Sequence, residues 1–152
     1  MAAIACHLAK RDDGPRIAYQ LLIYPATELG CALPSHQTLG EGYRLTADLM
    51  RWFMEHYFSG GGDRDQVIAS PLHAAEFSGL PPALVLVAGY DPLVDEGMAY
   101  ARALAGAGVA TEVMEYRGMI HGFIAMGGLI DAAADAMLSC GASLREAFTA
   151  DR

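Results

Sequence analysis

The sequence predicts an α/β fold, three mostly parallel strands with flanking helices, and three observations carry that prediction. Short runs rich in branched apolar residues recur between turn signals: AYQLLIY at 18–24, ALVLVA at 83–88 and TEVMEY at 111–116. Between the second and third runs, Met98, Ala101, Leu104, Ala105 and Gly108 share one face of a helical wheel, so a helix crosses over and the strands it joins are parallel. Length and composition agree with one packed unit, since 152 residues of which 53% are hydrophobic can fill a sizeable core.

In chain order, Met1 to Lys10 is built from Ala, Leu and Met helix formers and stops at the charged segment Asp12-Asp13-Gly14-Pro15, which reads as a helix cut short at its start. The first strand ends at Pro25, and Ala26 to Gly42, rich in Gly, Pro, Ser and Thr, is expected to be a long loop. Leu45 to Phe58 returns to helix, with Thr46 as N-cap and Gly60-Gly61-Gly62 past its end. Leu45, Leu49, Trp52 and Phe53 lie on one face, which Met50, Met54 and Tyr57 widen beyond an ordinary core stripe. Two placements suit so wide a face: deep burial, or a seat between the core and a pocket. The glycine triplet follows a helix rather than a strand and has no adjacent His, so a C-cap explains it better than a loop of the His-Gly-Gly-Gly kind. Leu84 to Val87 is a buried strand that Gly89-Tyr90-Asp91-Pro92 ends with turn chemistry. Last, Leu129, Ala133, Ala136, Met137, Cys140, Leu144 and Phe148 recur at helical spacing despite Gly141, giving a terminal helix packed on the sheet. No internal repeat, low-complexity tract or second domain stands out.

Ten Lys and Arg against 18 Asp and Glu give a net charge of −8 with no basic run, which argues against nucleic acid or an anionic membrane as main partner. Cys6, Cys31 and Cys140 lie far apart, form no C-x-x-C pair and have no His at ligand spacing. Reduced thiols in a cytoplasmic protein are therefore expected rather than disulfides or zinc. No run approaches transmembrane length, and the apolar start lacks the basic region and cleavage pattern of a signal peptide.

Two residues stand where α/β sheets place chemistry. Asp91 lies at the carboxyl end of the second strand, and His121, 30 residues later, sits in a Gly-containing loop after the third. An acid beside an imidazole fixes its tautomer and stabilises its charged form when it takes a proton. Each residue also has a plainer reading. Asp91-Pro92 is what a helix N-cap with Pro at the first helical position looks like, and a loop His is commonly a surface or hydrogen-bonded one. Asp95 and Glu96 read as first-turn carboxylates favoured by the helix dipole, with Asp95 also placed to support the site.

Asp91-Pro92-Leu93-Val94-Asp95-Glu96-Gly97, Gly108-Val109 and His121-Gly122-Phe123 belong to a wider ordered set. It includes Leu21-Leu22-Ile23-Tyr24-Pro25, Ser70-Pro71-Leu72 and Gly79-Leu80-Pro81-Pro82-Ala83. In order and spacing the set resembles the C-terminal portion of the hormone-sensitive-lipase-like esterases of the α/β-hydrolase fold, over nearly the whole chain. The resemblance implies a partial α/β-hydrolase domain over 1–152, with 43–59 a lid helix region above the acyl site. It implies Asp91 as acid and His121 as base of a Ser-His-Asp mechanism on small-molecule esters, with no cofactor and no metal. Gly122 would let the chain turn closely behind the imidazole, and Phe123 would be a structural neighbour. The order of Asp before His agrees with the fold.

The sequence departs from the family at its start. No G-x-S-x-G occurs: Gly141-Ala142-Ser143-Leu144-Arg145 lacks the last Gly and lies in the terminal helix. In the family the elbow reads Gly-Asp-Ser-Ala-Gly-Gly and opens the helix that Met1 to Lys10 resembles. The expectation is a chain nearly inert alone, part of a polypeptide of roughly 250 residues or more, or paired with a chain supplying the missing half-sheet. The strand edge at Leu21 to Tyr24 would then be open to pairing. The resemblance also makes Thr111 to Tyr116 a free edge suited to a homodimer. The alternative from another class is a non-catalytic ligand-binding or interaction module on the same scaffold, which would need neither Asp91 nor His121. A peptidase or thioesterase of the same fold is a third reading.

Overall fold

A computed structural model describes residues 1–11 and 14–150. In order come α1 (Ala2–Arg11), β1 (Gln20–Ile23), α2 (Pro34–Thr38), α3 (Ala47–Tyr57), β2 (Ala83–Tyr90), α4 (Val94–Gly106), β3 (Thr111–Ile120) and α5 (Asp131–Ala150). The strands form one sheet in the order β1-β2-β3, all parallel, with Leu22 opposite Val85 and Val85 opposite Val113. The stop expected at Asp12 and Asp13 lies outside the described residues.

The middle strand is apolar at every position from 83 to 88 because both of its faces are covered. Val85 and Val87 pack with Ala3 and Cys6 of α1 and Tyr100 and Leu104 of α4. Leu84, Leu86 and Ala88 pack on the opposite side with Phe123 and with Ala133, Ala136 and Cys140 of α5. A buried strand sandwiched in this way is a rigid platform for whatever its carboxyl end carries.

Four features differ from the sequence reading. The 26–42 stretch contains α2, five residues too short to show periodicity, started by Pro34 in the first helical turn. β3 runs past Tyr116 to Ile120 and pairs across an irregularity between Ala88 and Tyr90. There the Arg117 backbone approaches Gly89 so closely that a Cβ would stand 2.7 Å from Arg117 Cα. Deep burial of α3 is overturned: Met50 is its buried residue, while Leu49, Trp52, Phe53 and Tyr57 are exposed. Its start is as expected, Leu49 N donating to Thr46 Oγ1 at 3.1 Å. The packed stripe of α5 is narrower than the apolar repeat, with Ala133, Ala136 and Cys140 buried but Met137 and Phe148 exposed, and Leu129 lies exposed before the helix begins. No helix among the described residues is long and apolar enough to cross a membrane.

Candidate active site

Adjacent parallel strands bring the acid and the imidazole together. β2 ends one residue before Asp91 and β3 one residue before His121, and Tyr90 pairs with Ile120, so the two side chains emerge side by side. Asp91 is fully buried. Its Oδ2 lies 2.8 Å from His121 Nδ1, and its Oδ1 accepts from Leu93 N at 2.9 Å, so both carboxylate oxygens are fixed. The N-cap reading of Asp91 is replaced by this arrangement: α4 starts at Val94 with Leu93 as its N-cap.

With Nδ1–H donating to Asp91, Nε2 is the nitrogen left to accept a proton, and among the described residues it has no hydrogen-bond partner. The imidazole is 28% exposed, enough to be reached. The Tyr24 ring packs against it at 4.6 Å. Burial pushes the Tyr24 hydroxyl pKa up, partly opposed by its hydrogen bond to the Ile124 backbone. Gly122 turns the chain with φ 80°, a left-handed conformation that suits glycine, and Phe123 is fully buried between Tyr24 and Tyr116.

Behind the acid lies a network that the sequence reading missed. Glu96 does stand in the first turn of α4, as expected, but is fully buried. Its Oε2 meets His36 Nε2 at 2.6 Å, while Oε1 accepts from Thr27 N and Glu28 N. Asp95 accepts from Ser35 N at 2.9 Å, and Ser35 Oγ donates to Pro92 O. These bonds tie α2 and the loop after β1 to the turn that carries Asp91. Burial lowers the His36 pKa, but the Glu96 hydrogen bond and charge outweigh it and leave His36 raised. Burial likewise raises Glu96, against the opposing bonds from His36, Thr27 and Glu28. His36 carried no signal of its own, standing 60 residues from its partner in a segment without periodicity.

Beside His121 opens a cleft of about 430 Å³ walled by Tyr24, Leu29, Cys31, Leu45, Met50, Phe53, Met54 and Leu93. Glu28 and Glu96 also reach its wall, and mostly apolar walls with a few placed polar groups are the composition of a small-molecule site. The inner side of α3 supplies Met50, Phe53 and Met54 to it. Away from the imidazole, Glu28, Asp65 and His73 bring ligand-type atoms within 4.8 Å of one another, a grouping that could hold a metal ion. Two of the three are exposed, and His73 stands 3.7 Å from Asp65 and 3.9 Å from Glu28, as in a solvated ion-pair cluster.

Residues 1–125 match the family model described as alpha/beta hydrolase fold. Ethyl acetate hydrolase of Pseudomonas putida is 39% identical over 135 residues, 89% of this chain and 42% of that protein. Carboxylesterase NlhH of Mycobacterium tuberculosis is 34% identical, covering 99% of this chain and 48% of that one. An ester hydrolase from the metagenome of Lake Arreo, solved with a bipyridine phosphonate derivative, superposes with a TM-score of 0.92 at 39% identity, over 97% of this chain and 47% of that one. The hyperthermophilic esterase of Pyrobaculum calidifontis gives 0.90 at 39% identity, over 95% and 48%. The chain thus spans less than half the length of these relatives. On the match across residues 1–125, and with the parallel sheet and its flanking helices, this chain belongs to the α/β-hydrolase fold family.

Proposed function

We propose that Asp91 and His121 are the acid and base of a carboxylic ester hydrolase working by a Ser-His-Asp mechanism on small-molecule esters. The single observation that carries this reading is the 2.8 Å bond from His121 Nδ1 to a fully buried carboxylate, with Nε2 left unpartnered beside an apolar cleft. In that mechanism a serine hydroxyl passes its proton to Nε2 as its oxygen attacks the ester carbonyl. Asp91 stabilises the imidazolium, the proton moves to the departing alkoxide, and water then releases the acyl group by the same route. The mechanism calls for no cofactor or metal. Residues 43–59 serve as a lid region, a role supported by α3 lining the cleft with its inner side.

The 152 residues contain no G-x-S-x-G. On this reading the serine and the oxyanion donors come from a half-domain outside them, on the same polypeptide or a partner, docking along β1. The relatives' names and their roughly twofold length support it. A homodimer along the β3 edge and a cytoplasmic setting complete the proposal, the second supported by three free cysteines.

Intact mass under denaturing conditions, paired with hydrolysis of a chromogenic short-acyl ester on the same sample, tests the reading. Turnover in material containing a heavier chain or a second polypeptide, abolished by a serine-directed inhibitor, is the expected result. Asp91→Asn or His121→Ala then lowers kcat by roughly 10⁴-fold. Turnover indifferent to both substitutions removes those roles. Saturable binding of a non-hydrolysable ester analogue without turnover from any serine-containing form supports the second reading, a binding module.

A further inference from the structure

The segment leading into α3 brings a cation beside the backbone that follows His121, next to the cleft walls rather than among them. The Tyr43 ring stacks on Tyr90 at 4.9 Å, immediately before Asp91. Leu45 is buried, and Ala47 N donates to Gly40 O at 2.8 Å, closing the loop. Between these anchors Arg44 holds φ 72°, a left-handed conformation that long side chains rarely adopt. The turn lays its guanidinium against Gly122, where a Cβ would stand 3.0 Å from Nη1. Gly122 is the residue after His121, and its missing side chain leaves the guanidinium free to lie close to the backbone there. Tyr24, packed on the His121 ring, feels the charges of both Asp91 and Arg44.

Arg44 is exposed, and among the described residues no carboxylate lies within ion-pair distance of it. In a chain of net charge −8, an unpaired guanidinium beside the candidate base invites an anion from solution. A planar guanidinium matches a carboxylate in two parallel hydrogen bonds. Consecutive Cα atoms are about 3.8 Å apart, so a group held over residue 122 is a few bonds from a carbonyl placed at His121. We propose that Arg44 selects esters that carry a free carboxylate, the half-esters of short dicarboxylic acids. Arg44 grips the carboxylate while the ester carbonyl rests beside His121. The assignment rests on the ester-hydrolase reading above and names its substrate class.

The test is equilibrium binding to the protein labelled with ¹⁵N-histidine, following the His121 imidazole resonances during titration with monomethyl succinate or dimethyl succinate. The expected result is about tenfold tighter binding of the half-ester, a size typical of one charge-assisted contact. That preference should vanish in Arg44→Gln, survive in part in Arg44→Lys, and shrink as salt is raised. An unperturbed amide spectrum of Arg44→Gln outside the 43–47 loop shows that the fold is kept. Equal affinity for the two esters, or a preference that Arg44→Gln retains, overturns the role of Arg44 and leaves the ester site standing. No perturbation of His121 by either ester in material that also contains the serine-bearing half-domain overturns the ester reading itself and the selection with it.

Discussion

Gly89→Ala tests whether the close approach of two strand ends sets the geometry of the Asp91–His121 pair. A methyl at 89 would stand 2.7 Å from Arg117 Cα, whereas ordinary contact begins at 3.4 Å. Both partners are backbone, so neither can rotate aside, and because Arg117 O stands closer still, β2 and β3 must part by at least about 0.7 Å at the irregularity between Ala88 and Tyr90. Forced separation of this kind costs about 1–3 kcal/mol. With an m-value of about 2 kcal/mol/M, the urea midpoint should drop by about 0.5–1.5 M. The site lies just beyond: Asp91 is two residues past Gly89, and His121 four past Arg117. If the strand ends move together with the separation, the 2.8 Å bond lengthens to about 3.5 Å, past useful hydrogen-bond range. Urea denaturation followed by circular dichroism reads the first effect, and the downfield Nδ1–H proton resonance of His121 reads the second. A variant with an unchanged midpoint and an unchanged Nδ1–H resonance would refute the reasoning, because the strands would then have absorbed the methyl without moving the site.

Phe123→Ala empties a fully buried position against Tyr24 and Tyr116 and should cost about 3–5 kcal/mol, measured by the same denaturation. Thr46→Ala removes the acceptor for Leu49 N and should cost about 1 kcal/mol, seen locally as faster amide exchange at Leu49. The His36–Glu96 pair predicts a pH dependence whose sign follows from both groups being raised. A folded state that binds protons more tightly than the unfolded one loses stability as pH rises. The His36 contribution is therefore complete below its ordinary value of 6.5 and is lost as pH climbs through the raised one, while Glu96 acts in the same direction from 4.5 upward. Thermal unfolding from about pH 5 to 9 should show His36→Gln flattening the decline relative to wild type. An identical slope in the variant would show that the pair is not its source.

What could be read from the sequence was what is local or repetitive. The unbroken apolar run of β2 announces burial on both faces, and the βαβ pattern announces that Asp91 and His121 leave neighbouring strands in the same direction. Their order and spacing then mark them as a pair, though the hydrogen bond itself depends on the register of Tyr90 against Ile120. Glu96 and His36 could not be found this way, since two polar residues far apart carry no periodic sign that they will be buried together. The extension of β3 through Arg117 and Gly118 was equally hidden, because its support comes from the facing backbone of Gly89 rather than from its own side chains. On α5, the repeat correctly included Ala133, Ala136 and Cys140, which pack, but spacing alone could not separate them from Met137 and Phe148, which point to solvent.

The crossover from β2 through α4 to β3 has a bearing on how the site comes into being. The hydrogen bonds that align Asp91 and His121 with each other all fall within one continuous stretch, and closing a loop of 30 residues costs only about 3 kcal/mol beyond a constant. Such a pair can assemble early on the folding pathway, ahead of contacts with more distant parts of a polypeptide. The proton-handling pair is therefore local in sequence, while Tyr24, Ser35 and His36 brace it from outside that stretch. A cut, a fusion or a permutation placed before Ala83 would keep both partners of the bond in one piece but would separate them from that bracing.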